Sequence, residues 1–205
     1  MRYIALGDSS GVGIGAHDGR GYVERLADRL RQTGPVELTN LCVSGATSPD
    51  VLARQVPRLR TAEPGLVTLL VGVNDLWRLG EPRRFARAFA DIAAGMESSW
   101  KTPPAIVAVA SLPDMSLAPA AAFVQRQFGI PPSAIAERIH SYNAYIRRVV
   151  LDRGWSLVDL GRETVAGRGD LFSADGFHPS AAGYQRIAEV FYEVVGPALA
   201  QRRAG

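Results

Sequence analysis

The 205-residue chain holds one cysteine, Cys42, and three histidines, His17, His140 and His178. A single thiol closes no internal disulfide, so the fold has to rest on packing, and the apolar neighbours of Cys42 predict a buried, unreactive side chain. Cysteine and histidine are too few to form the clusters that bind structural or catalytic metals, and neither a metal nor an organic cofactor is expected. Long hydrophobic runs are missing as well. VTLLVGV (67–73) and AIVAVA (105–110) fall far short of the roughly 20 apolar residues that cross a bilayer. No charged, apolar and small-residue leader stands before the first strand, so the expectation is a cytoplasmic protein without a transmembrane segment. Repeats and low-complexity tracts are also absent, and the length suits a single domain over 1–205 with a sizeable core.

Acidic charge is slightly outnumbered, giving a formal net charge of +3. An excess of arginine raises the question of a phosphate-rich partner. Arg25, Arg29, Arg83, Arg84, Arg87, Arg147 and Arg148, however, are mixed with acids on helical faces. No basic stripe interleaved with aromatics is present, so a nucleic-acid partner is not expected.

What the chain does have is alternation. Short runs rich in Val, Ile and Leu are followed by longer stretches of helical period, the pattern of a parallel sheet covered on both faces. Strands are predicted near 2–7, 36–42, 66–72, 105–110 and 155–159, and helices near 20–33, 49–60, 82–100, 133–153 and 180–203, with Gly34, Pro57, Pro64 and Gly154 as punctuation. The fold class is α/β, a doubly wound three-layer sandwich, in which ligands sit where the carboxyl ends of the strands open into loops. Leu112 to Pro132, with Pro113, Pro119, Pro131 and Pro132, is predicted to be one long irregular connection, either a flap beside the site or a decorative insertion.

Strand ends therefore carry the search for chemistry. The first strand runs into GDSSGVG, which puts the Ser9 hydroxyl in a turn at the open edge of the sheet. That position suits a nucleophile, although an ordinary glycine-serine turn reads the same way. Serine reacts only when a base takes its proton. His17 lies in a polar glycine-rich loop and His140 on an amphipathic helix, so both read as surface residues. His178 is different, because Asp175 precedes it by three residues in a turn and Pro179 and Ser180 open the last helix. Such a turn can fold the Asp175 carboxylate onto imidazole Nδ1 and leave Nε2 for Ser9, while a capping aspartate beside a solvated histidine is the competing reading. The third strand ends in Gly72, Val73, Asn74 and Asp75, and the second runs into a loop that contains Gly45. With the N–H of Ser9, the Asn74 amide and the Gly45 N–H can surround a developing oxyanion.

These four blocks, GDS at 7–9, the Gly45 segment, G-x-N-D at 72–75 and D-x-x-H at 175–178, resemble the SGNH (GDSL-type) hydrolase family and occur in its order. The resemblance implies a flavodoxin-like sandwich with a five-stranded parallel sheet and a serine-esterase site at its carboxyl edge. It implies Ser9 as nucleophile and first oxyanion donor, Gly45 and Asn74 as the other donors, His178 as base and Asp175 as its orienting acid. Asp8, Ser44, Thr47 and Asp75 would hold the loops. One departure is Ser10, where the family frequently has leucine after GDS.

The reaction so implied is hydrolysis of a small-molecule carboxylic ester, short-chain or of lysophospholipid type. Acyl transfer, carbohydrate deacetylation and a non-catalytic binding module remain open on the same residues. Leu112, Met115, Leu117 and Phe123 favour an acyl chain over a bare sugar or belong to the core.

Overall fold

A computed structural model describes residues 1–61, 63–78, 81–161 and 168–204. The elements, in order, are β1 (Arg2–Gly7), α1 (Ser9–Val12), α2 (Tyr22–Arg31), β2 (Glu37–Asn40), α3 (Ser48–Asp50), β3 (Leu66–Leu70), α4 (Val73–Trp77), α5 (Pro82–Ser99), β4 (Ile106–Ala110), α6 (Pro119–Phe128), α7 (Pro132–Asp152), β5 (Ser156–Val158) and α8 (Ala181–Ala204). The strands form one parallel sheet in the order β2-β1-β3-β4-β5. Every residue of β3 and β4 is buried, as continuous apolar runs between two helical layers require.

Helices α2 and α8 pack together, with Tyr22 stacked on Phe191 at 4.6 Å between ring centroids. Helices α5 and α7 meet in a second pair, where Phe85 stacks on Tyr142 at 3.9 Å. The expected sandwich is thus present, and its strand order places the topological switch between β1 and β3, whose carboxyl ends diverge into opposite crossovers. Ser9 follows one of those strands and Asn74 the other.

Helical arginines pair with acids as the sequence suggests: Arg25 with Asp18 at 2.7 Å, Arg31 with Asp28 at 2.7 Å and Arg147 with Asp159 at 2.6 Å. Cys42 is only partly buried as a residue, which corrects the expectation of full burial. Its sulfur nonetheless faces inward against Gly11, where a Cβ would lie 2.3 Å away, and burial pushes the thiol pKa well above its ordinary value. Among the described residues no helix is long and apolar enough to cross a membrane.

Two expected elements differ. The helix predicted over 49–60 is three unlike pieces, an α turn at Ser48–Asp50, a wider π turn at Val51–Gln55 and a tighter 3-10 stretch at Val56–Thr61. Pro57 has no N–H to give, so uniform α-helical spacing cannot run through it. The connection 112–132 is not irregular. It contains a 3-10 turn at Met115–Leu117 and the ten-residue helix α6, ended by Gly129 in the left-handed conformation. Pro119 and Pro132 sit in the first turns of α6 and α7, where a missing N–H costs nothing, and so they start helices here instead of breaking them.

Candidate active site

Gly7 closes β1 because nothing larger fits: a Cβ there would lie 2.3 Å from the Leu70 carbonyl oxygen on β3, and its φ is +150°. The buried Gln55 clamps the same residue, accepting from Gly7 N at 2.8 Å and donating to Gly7 O at 2.8 Å. Asp8 then caps α1 by accepting from Ser10 N at 3.0 Å. Ser9 is thus the first residue of a helical turn, where backbone N–H groups have no partner within the helix. Burial pushes the Asp8 carboxyl up to about 6, against the opposing hydrogen bonds from Ser10 and the charge of His178.

The Gly45 and Asn74 segments are joined side by side. Asn74 donates from Nδ2 to Ala46 O at 3.0 Å. That bond uses one of its two amide hydrogens and leaves the other to a ligand. Next to it, the buried Asp75 accepts the Ser48 N–H with both carboxylate oxygens, at 2.9 and 3.2 Å. Gly45 has φ +76°, and a Cβ on it would meet nothing within 4 Å, so backbone conformation and not crowding calls for glycine.

Asp175 Oδ2 lies 2.7 Å from His178 Nδ1. Its other oxygen accepts three bonds, from Ser173 Oγ at 2.7 Å, Phe177 N at 2.8 Å and His178 N at 2.8 Å. Burial opposes ionisation of this carboxyl, but the bonds from His178, Phe177 and Ser173 outweigh it and hold its pKa well below the usual carboxylate range. An ionised carboxylate is an acceptor only, so the Nδ1 facing it carries the imidazole proton. In the neutral ring that leaves Nε2 as an acceptor, the tautomer a general base needs. His17 and His140 are exposed and far simpler in their surroundings, as expected.

Three contacts bring the blocks to one rim of the sheet. Tyr184, near the start of α8, donates to Ile14 O at 2.6 Å in the loop after α1. Gly15 in that loop abuts the base, since a Cβ on it would lie 2.7 Å from His178 Cβ. The Trp77 ring of α4 meets Phe177 edge-on at 5.5 Å, and Phe177 meets His178 in the same way at 4.8 Å. The Ser9, Asn74 and His178 blocks, far apart in sequence, are therefore packed against one another, with Gly45 tied to Asn74.

The model of the GDSL-like lipase/acylhydrolase family matches residues 5–186. The chain belongs to that family. It is a carboxylic-ester hydrolase of the GDSL type. It is 25% identical over 197 residues to the esterase TesA of Pseudomonas aeruginosa, covering 96% of this chain and 88% of that protein. A crystal structure of TesA superposes with a TM-score of 0.76 at 25% identity, over 97% of this chain and 99% of the other. The family 3 carbohydrate esterase of Clostridium thermocellum superposes with a TM-score of 0.77 over 98% of each chain; at 22% identity this is a likeness of fold.

Several residues that organise the site in this GDSL-family chain carry no signal in the sequence. Gln55, Trp77, Phe177 and Tyr184 read as ordinary helix or core residues, because their partners lie in distant segments. Thr47 does hold a loop, as expected: Asp50 Oδ2 accepts both its hydroxyl at 2.6 Å and its backbone N–H at 3.0 Å. Ser44 is exposed on the loop before Gly45. The 112–132 segment touches the site: Ala120 N, at the start of α6, donates to Gly176 O at 3.0 Å in the turn between Asp175 and His178.

Proposed function

We infer that the chain cleaves small-molecule carboxylic esters through an acyl-serine intermediate, with Ser9 as nucleophile, His178 as base and Asp175 as the acid that orients it. Ser9 Oγ bonds to the carbonyl carbon as His178 Nε2 takes the hydroxyl proton, giving a tetrahedral oxyanion. The Ser9 N–H, the Gly45 N–H and the remaining Asn74 amide hydrogen surround that oxygen. The bond from carbon to the alkoxy oxygen then breaks, and His178 gives its proton to the departing alcohol. Water repeats the sequence against the acyl-enzyme: His178 takes its proton, the acid is released, and Ser9 Oγ regains a hydrogen. Each proton transfer in the cycle passes through His178.

The single observation that carries the reading is the 2.7 Å contact of His178 Nδ1 with an Asp175 carboxylate whose other oxygen is already fully engaged. A surface capping aspartate has no need of four such contacts. The one domain over 1–205 expected from the length is in keeping with a family match that runs across most of the chain.

The test is covalent. A fluorophosphonate should label wild-type protein at Ser9, and Ser9→Ala should fold, take no label and lose the burst of p-nitrophenol from short-chain esters. Burst kinetics that survive in Ser9→Ala would overturn the assignment.

A further inference from the structure

A cavity of about 50 Å³ lies directly behind the base, lined by Ser10, Leu70, Met115, Leu171 and Ile187, with His178 forming part of its wall. It is largely enclosed and mostly apolar. Ser10 is the residue at which this chain departs from the leucine that gives the GDSL family its name. Ser10 is part of the lining, and a leucine there would bring a larger, apolar side chain to the same wall. The Ser10 backbone N–H bonds the Asp8 carboxyl at 3.0 Å, which fixes the backbone at this position.

We propose that this cavity receives the acyl chain of the substrate and that Ser10 is a specificity-determining residue, setting a preference for acyl groups of about four to six carbons. The inference rests on the acyl-serine reading above. Interiors pack to the density of organic crystals, and a void next to apolar walls forfeits their dispersion contacts unless an apolar group enters it. A water-sized occupant needs roughly 10–15 Å³ on this measure, so the space admits only a few chain atoms and excludes long acyl groups. The acyl group stays bonded to Ser9 through both halves of the reaction, while the alcohol has to depart before water can attack. An enclosed cavity beside His178 fits the group that stays.

The experiment is a series of p-nitrophenyl esters from two to ten acyl carbons, run on wild type, Ser10→Leu and Ile187→Ala, with fluorophosphonate labelling of Ser9 in each. Wild-type kcat/KM should peak at four to six carbons. Ser10→Leu should lower the six-carbon to two-carbon ratio of kcat/KM at least about tenfold, the scale on which a hydrophobic pocket rejects an added methylene group or two. Ile187→Ala, which enlarges the cavity by trimming its wall, should move the peak to longer chains. If both variants are labelled at Ser9 and keep the wild-type profile, the acyl assignment of the cavity is wrong while the nucleophile stands. If wild type itself takes no label, the acyl-serine reading falls and this inference with it. Should Ser10→Leu not fold, Ile187→Ala decides the question by the same criterion.

Discussion

Asp75 receives the Ser48 backbone N–H on both carboxylate oxygens, at 2.9 and 3.2 Å, one residue along from the Asn74 amide that bonds Ala46 O. These two adjacent side chains tie the loop that carries Gly45 to the residues that follow β3, and on the proposed mechanism that loop supplies the Gly45 N–H. Asp75→Ala leaves a buried N–H without a partner and should destabilise the fold by about 1–3 kcal/mol. Loosening the donors should also lower kcat by roughly 10–100-fold with little change in KM, because oxyanion contacts matter most in the transition state. Asp75→Asn keeps an acceptor oxygen and should retain most of both. Urea unfolding and steady-state kinetics on the same preparations check the pair.

Asp175 has two tasks, one on each oxygen. Asp175→Asn keeps an acceptor for the Phe177 and Ser173 side of the turn and presents an amide N–H to His178. The imidazole then holds its proton on Nε2 and cannot accept one from Ser9, so kcat should drop by roughly 10³–10⁴-fold with the fold intact. Ser173→Ala removes one of the three bonds on the other oxygen, and its cost should stay below about tenfold, the scale of a single hydrogen bond. Circular dichroism and kcat for both variants distinguish positioning from collapse.

How much of this was legible in sequence depends on how local each interaction is. The strands were readable because burial on both faces writes an apolar run directly into the chain, and the Asp175–His178 contact because it spans three residues. Ser9, Gly45 and Asn74 stood out as polar or flexible residues directly after strands, where a doubly wound sheet puts its ligands. Helices α1 and α4, of four and five residues, are too short to show a period. Helix α6 leaves no clear trace in the sequence, because proline stops a helix in its interior but starts one in its first turn, and composition alone does not say which. The amide clamps were invisible: Gln55 reaches Gly7 across 48 positions, and Asn143 holds Leu112 N and O at 2.7 and 2.9 Å across 31. Only the folded sheet reveals that both backbone segments need a partner.

The Gln55 clamp gives a direct stability prediction. Gln55→Leu preserves apolar bulk but leaves Gly7 N and O without their 2.8 Å partners in a buried site. Each unpaired group should cost about 1–3 kcal/mol, read as a lower midpoint in guanidinium unfolding. Gln55→Glu, which can accept but not donate, should fall between wild type and Gln55→Leu.

The raised pKa of Asp8 makes a pH-dependent prediction with a definite sign. Its carboxyl, ordinarily near 3.8, is pushed up to about 6 in the fold, and the cause is burial. Between those values the folded protein holds a proton that the unfolded chain has lost, so this group lowers stability as pH rises from about 4 to 6 and leaves it lower above. The difference between those two values corresponds to on the order of 3 kcal/mol. Asn caps helices as well as Asp does and does not ionise. Asp8→Asn should therefore match wild type in unfolding free energy at pH 3.5, where both side chains are uncharged, and exceed it by up to that amount at pH 8. Denaturant titrations at the two pH values measure the difference, and the other carboxyls cancel because both proteins carry them. An advantage for the variant that is equal at pH 3.5 and pH 8 would show that the Asp8 charge is not penalised by its burial beneath Ser9.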